Sequence, residues 1–210
     1  MNRTLLSVIA VLGILVLWGI FTYNRLIASS QAVERQWAQV QNVYQRRADL
    51  IPNLVATVSG AANFEKSTLT EVTEARASVG KIQVNANDAL NDPSKFREFE
   101  RAQSELSSAL SRLLVVVERY PELRATANFA SLQAQLEGTE NRIAVERGRF
   151  NEAAQEYNVR IKKFPTMILA NLFGFRERPY FAAEPEAQRP PKVEFDFSSP
   201  KTDQAPAPAH

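Results

Sequence analysis

The stretch RRADLIPNLVATV, residues Arg46 to Val58, sets the question on which the fold of this chain turns. Leu50, Ile51, Leu54, Val55 and Val58 recur at the three- and four-residue spacing of one helix face, yet Pro52 stands among them. A proline there removes a backbone donor and crowds the preceding turn, so the helix either kinks or ends. Toward the N-terminus the same stripe continues: Val33, Trp37, Val40, Tyr44, Arg47, Ile51, Leu54 and Val58 alternate spacings of four and three, a bundle seam interrupted only by Arg47. The stripe persists beyond Pro52 until Ser59-Gly60 supplies a stop, so the proline reads as a bend within the helix. Contacts of Leu54 and Val58 with the core would offset its interior penalty of roughly 3 kcal/mol. A functional alternative has the bend shaping a distal groove.

Three further segments follow. The second, Phe64 to about Val84, carries Leu69, Val72, Val79 and Ile82 on one side, with Asn63 able to cap its start. In the polar loop NANDALNDPS, Asp92 is placed to cap a third helix with Pro93 at its first position. Along that helix Phe96, Phe99, Gln103, Leu106, Leu110, Leu113, Val117 and Tyr120 again alternate threes and fours. It stops at YPEL, where Pro121 is suited to begin a fourth helix running from about Glu122 to Phe164. Phe129, Leu132, Leu136, Ile143, Phe150, Tyr157, Ile161 and Phe164 form its stripe, interrupted by Thr139 and Glu146. Short connections and almost no strand signal predict an all-α protein: an antiparallel up-down four-helix bundle over residues 24–165.

Ahead of the bundle, LLSVIAVLGILVLWGIFTY (Leu5 to Tyr23) has no charge between Arg3 and Arg25 and approaches the roughly 20 residues that cross a bilayer as a helix. Residues 1–23 therefore read as a transmembrane helix that anchors the chain in lipid. The rival reading is a cleaved signal peptide, with Ala28 and Ser30 as a small-residue site before Gln31. The apolar run exceeds the usual ~7–15 residue signal core, and Arg25 separates it from that site. Basic residues nearly tie on the two sides, leaving the orientation open. Beyond the bundle, residues 166–181 hold the apolar TMILANLFGF, and seven of the chain's 11 prolines follow Arg176, so the chain from there on reads as disordered or extended, with residues 182–210 as a Pro-rich disordered tail.

The chemistry legible in the sequence is mostly absence. A net charge of +2, from 25 basic and 23 acidic residues, comes without a basic stripe interleaved with aromatics, so nucleic acid is not expected as a partner. Cysteine is absent, which removes disulfides, a thiolate nucleophile and a cysteine zinc site. The one histidine, His210, ends a Pro-Ala tail, so no Ser-His-Asp triad, no histidine metal pair and no Glu-x-x-His motif can assemble. Carboxylate pairs such as Glu137 with Glu140 and Glu71 with Glu74 share helix faces, where such pairs are usually solvated charge. No catalytic residue, cofactor or metal site is assigned, and the protein is not expected to be an enzyme. PNLVATV and PELRATA, with ANF and TE-x-R recurring behind them, hint at a duplicated hairpin, but their offsets of 69, 65 and 66 residues require gaps and chance matches are favoured.

One polar group carries a sharper expectation. In an up-down bundle the first and fourth helices are antiparallel, so with Asn24 level with Phe164, residues whose numbers sum to about 188 share a height. Arg47 then falls level with Asn141, within a turn of Glu137 and Glu140. The sequence predicts that Arg47 pairs with Glu140, with Arg46 or Asn53 in the same structural network. The alternative is that Arg47 extends outward while Ala48 fills the seam.

The same topology returns the fourth helix to the membrane. Met167, Ile168, Leu172, Phe173 and Phe175, bracketed by Lys162, Lys163, Arg176 and Arg178, could enter the membrane interface. The ordinary alternative, which the sequence favours, folds the segment over the open end of the bundle as a cap.

RRADLIPNLV, then YPELRATANFASLQAQLEGTENRIAVERGRFNEAAQEYNVRIKKFP, then LANLFGF, all behind an N-terminal anchor, resemble the LemA family of bacterial membrane proteins over about Gln31 to Phe175. The resemblance implies a membrane-anchored antiparallel helical bundle in the bacterial inner membrane, with the side of the soluble part unresolved, and implies no catalytic residues. The expected function is a scaffold or adaptor for an unidentified envelope protein, with homo-oligomerisation open. A sensory or ligand-binding bundle signalling through a partner is the alternative, and a carboxylate-dependent hydrolase comes third.

Overall fold

The computed structural model describes residues 3–61, 64–83 and 86–182, and all regular structure among them is helical. The first helix, α1 (Arg3–Ser59), is continuous, so the apolar N-terminal run and the first seam helix are one rod of 57 residues, about 85 Å at the α-helical rise. It is followed by α2 (Lys66–Gln83), a 3-10 turn (Ala86–Leu90), α3 (Pro93–Val117), a four-residue α4 (Pro121–Arg124), α5 (Ala127–Lys162) and α6 (Thr166–Leu172). Asp92 Oδ1 accepts from the Ser94 N–H at 2.8 Å and starts α3 with Pro93 at its first position. The fourth segment departs from the continuous helix read from Glu122: after α4 the chain breaks, and Thr126 caps a new helix by accepting from the Phe129 N–H at 3.3 Å. The capping role read for Asn63 and the tail beyond Ala182 lie outside the described residues.

Side-chain contacts fix the directions of the helices. Arg47 meets Glu140 and Arg160 reaches the Arg25 carbonyl, so α1 and α5 run antiparallel along their length. Arg112 with Glu71, and Arg119 with Glu65, set α2 and α3 antiparallel. Contact of α1 with α2 joins the two pairs, whereas a groove lined by both helices lies between α3 and α5.

The seam of α1 starts a full turn or more before Val33, with Thr22, Leu26, Ser29 and Ser30 already buried. The interior then divides in two. One cluster centres on Trp37, whose ring lies 5.1–6.1 Å from those of Phe99, Phe150, Phe96 and Phe181. Edge and tilted aromatic contacts of this kind add about 0.5–1.5 kcal/mol per pair to the burial itself. The other cluster, from Ile51 to Leu136, fills the end around Pro52. Arg47, only 1% exposed, lies between them.

Pro52 stays inside the helix, on its exposed side. Because it has no N–H, the Ala48 carbonyl four residues earlier loses its helical donor. The Nε of Arg76 on α2 supplies the replacement, donating to that carbonyl at 2.9 Å. The unsatisfied acceptor created by the proline thus becomes a bond between two helices.

Residues 166–181 divide between the two readings of that segment. After the cis Phe164–Pro165 bond, α6 buries only Ala170. It closes through Gly174, whose φ of +74° is one that glycine adopts without strain. The Phe175 N–H donates back to the Ala170 carbonyl at 2.9 Å, a Schellman arrangement that turns Phe175 toward the core. Met167, Ile168, Leu172 and Phe173 point outward. Phe164, read as a stripe position, is 73% exposed, because α5 ends at Lys162 before reaching it.

Candidate functional site

The polar layer around Arg47 forms the floor of the groove between α3 and α5. Arg47 Nη1 donates to Glu140 Oε1 at 2.8 Å and to Ser107 Oγ at 2.7 Å. Nη2 donates to the Gln103 carbonyl at 3.2 Å and to Gln103 Oε1. The guanidinium also lies 5.1 Å from the Tyr44 ring centroid. The side chain stays in the seam because α3 offers it acceptors at i and i+4, which makes the outward route unnecessary. Burial raises the Tyr44 hydroxyl above its ordinary pKa, against the opposing pull of Arg147 and Arg47.

The other residues read into this network fall elsewhere. Arg46 and Asn53 are exposed; Asn53 lends only its carbonyl, which accepts from the Thr57 hydroxyl. Glu137 is exposed and takes a hydrogen bond from Gln133 at 2.9 Å. The heptad phase of α1 explains this: Arg46 and Asn53 lie off the stripe of Val40, Tyr44, Arg47 and Ile51. Gln103 and Ser107 take their places, and Gln103 already stood on the α3 stripe as its one polar position.

The groove has a volume of about 890 Å³. Its α3 wall carries Ser104, Ser107, Ser108 and Ser111 with Glu100 and Arg101, and its α5 wall carries Glu140, Ile143, Ala144 and Arg147. At the floor, Arg47 Nε and Gln103 Nε2 are buried donors without a hydrogen-bond partner among the described residues.

The end of the groove toward α6 is closed by an extended strap, Arg176 to Ala182, in what the sequence read as the start of a disordered or extended tail. Asn158 on α5 donates to the Arg178 carbonyl at 2.9 Å and accepts from the Arg178 N–H at 2.8 Å. Two turns earlier, Asn151 treats Phe181 the same way at 3.0 and 2.9 Å. Each amide engages both polar backbone groups of one residue, as a neighbouring strand would. Arg147 then donates to the Ala182 carbonyl at 3.0 Å, and Glu100 accepts from the Ala182 N–H at 3.1 Å. Partial burial raises the Glu100 pKa, an effect the Ala182 N–H and Arg147 oppose. Arg178 enters between helices, donating to Ser30 Oγ at 3.0 Å and to the Leu90 carbonyl at 3.2 Å. The asparagine pair, seven residues apart on one helix face, was the available sequence signal for the strap.

Among the described residues no three His, Asp or Glu side chains converge as a metal site would require. The arrangement is suited to holding polypeptide or other polar groups.

At the N-terminal end, the apolar side chains from Leu5 to Phe21 are exposed around the whole helix, and an 18-residue window reaches a mean hydropathy of 2.6. By length and composition this part of α1 is able to cross a membrane.

Together these features define an all-helical protein with one N-terminal apolar helix and a polar interhelical groove. The chain belongs to the LemA family, whose sequence profile matches residues 36–195. It is also similar to magnetosome protein MamQ 2 of Paramagnetospirillum magneticum, 27% identical over 89% of this chain and 73% of that protein. Magnetosome protein MamQ of Magnetospirillum gryphiswaldense is 27% identical over 80% of this chain and 67% of its own length. Protein LemA of Metamycoplasma hominis is 22% identical over 70% and 63%.

Proposed function

We propose that this protein is a membrane-anchored helical scaffold or adaptor of the bacterial inner membrane. The N-terminal part of α1 spans the bilayer, α1, α2, α3 and α5 form an up-down bundle, and the groove between α3 and α5 receives an extended segment of another envelope protein. The observation that carries this reading is the strap: beyond the end of the groove α5 already binds extended main chain through Asn158 and Asn151, and Arg147 in the groove wall binds the Ala182 carbonyl. Small-molecule pockets are lined mostly by apolar side chains, whereas most of the residues lining this groove are serines or charged.

A photo-crosslinking side chain at Ser108, exposed on the α3 wall, tests the idea in intact membranes. Crosslinks to a defined protein are expected from Ser108 and not from Glu74 on the outer face of α2. Ser104→Trp should abolish them without shifting the melting temperature. Equal crosslinking from both positions, or none from Ser108, would count against the groove as a docking site. The sensory alternative places a small ligand in the same groove, and stabilisation by such a ligand with no crosslinked protein would favour it.

A further inference from the structure

The exposed side of α6 is apolar. Leu172 is 74% exposed, Ile168 56%, Phe173 55% and Met167 43%, in a helix of seven residues that buries only Ala170. Water-exposed patches this dense mark a surface that meets another phase or partner. Its position says which. Phe173 packs against Tyr23 at a tilt of 60° with ring centroids 4.9 Å apart, and Phe175 lies 6.0 Å from the same ring. Tyr23 ends the apolar run of α1, one residue after burial begins at Thr22. The α6 patch is therefore continuous with the exposed apolar sleeve of Leu5 to Phe21 and stands where that sleeve stops.

The flanking charges agree. Lys163 and Arg176 are exposed on either side of the patch, and Arg25 lies just beyond Tyr23 on α1, its guanidinium 4.5 Å from the Phe21 ring centroid. Aromatic rings at the end of a span, with cations one step outward, match the order of layers at a bilayer surface.

We propose that α6 is an interfacial helix: Met167, Ile168, Leu172 and Phe173 insert into the headgroup region beside the point where α1 leaves the membrane. The protein then touches the bilayer at two places, the span and α6. Two contacts joined through the Tyr23–Phe173 pair fix the inclination of the helical body, which one span alone would leave free. The occupant of the patch is lipid, because the patch extends the surface of the span. This rests on the span itself lying in the bilayer.

The chain has no cysteine, so nitroxide labels can be placed singly on the full-length protein in phosphatidylcholine–phosphatidylglycerol nanodiscs. Labels at Leu172→Cys and Ile168→Cys should collide with oxygen in preference to a water-soluble nickel chelate, at depths of about 5–10 Å below the phosphates. Val115→Cys, at an exposed site far along α3, is the aqueous reference. Leu12→Cys reports the span separately. Lipid-type exposure at residue 12 with aqueous exposure at 172 and 168 would overturn the proposal and leave the anchor standing. Aqueous exposure at residue 12 would remove the anchor and the proposal together. Spin–spin broadening between labels at residue 172 would mean that a second copy covers the patch, and would also overturn it.

Discussion

The bond from Arg76 to the Ala48 carbonyl yields a test of why Pro52 is tolerated. Ala48 is 6% exposed, so its carbonyl has little access to water and would carry a desolvation penalty of about 1–3 kcal/mol without a donor. Arg76 donates at 2.9 Å, a charge-assisted bond that is only half-buried, which puts its net value toward the lower end of the ~1.5–3 kcal/mol range. Arg76→Met keeps the aliphatic stem and should cost about 1.5–2 kcal/mol. Pro52→Ala restores the helical N–H, so in that background Arg76→Met should cost about 0.5 kcal/mol or less, a coupling of about 1–1.5 kcal/mol. For a chain of this length each kcal/mol corresponds to a melting shift of about 2–4 °C. Full-length protein in detergent micelles, melted while helix content is followed by circular dichroism, gives all four corners of the cycle. The cycle subtracts any general effect of Pro52→Ala on packing. Equal costs of Arg76→Met in both backgrounds, within about 0.3 kcal/mol, would refute the reasoning.

Arg47→Met should destabilise by about 3 kcal/mol, since it strips donors from Gln103 and Ser107 as well as from Glu140. Adding Glu140→Leu should recover less than about 1 kcal/mol, because Glu140 is 44% exposed and water solvates it once Arg47 is gone; full recovery in denaturant melts would contradict this. Glu100, whose folded pKa is raised by burial, contributes stability that is fully present below the ordinary carboxylate range and is lost as pH rises through its raised value. Glu100→Gln keeps an acceptor for the Ala182 N–H and should flatten the melting temperature between about pH 4 and 7. An unchanged pH profile would show that Glu100 does not contribute.

Periodicity and antiparallel geometry carried the sequence reading a long way. The rule that heights sum to about 188 placed Arg47 within a turn of Glu140, and the two are bonded in the structure. Asp92 and Pro93 were legible because a capping side chain acts on its own neighbours. Arg76 was not: its partner is a carbonyl on another helix, freed by a proline 24 positions earlier, and no local pattern links them. Phe181 stood among prolines and alanines, with nothing nearby to announce that it completes the aromatic cluster of Trp37. The split of residues 166–181 between core and surface depended on the turn at Gly174, which a stripe count does not register.

The continuity of α1 has a mechanical consequence. From Tyr23 to Ser59 the helix extends about 54 Å past the end of its apolar run. Because those residues belong to the same rod as the N-terminal run, the helical body cannot pivot where the two meet without breaking backbone hydrogen bonds. A change of about 10° in the inclination of the first turns, small against the range that spanning helices adopt, swings the Ser59 end sideways by about 9 Å. The groove moves with it, so the direction in which the groove opens is set by the angle of a helix whose controlling end lies tens of ångströms away.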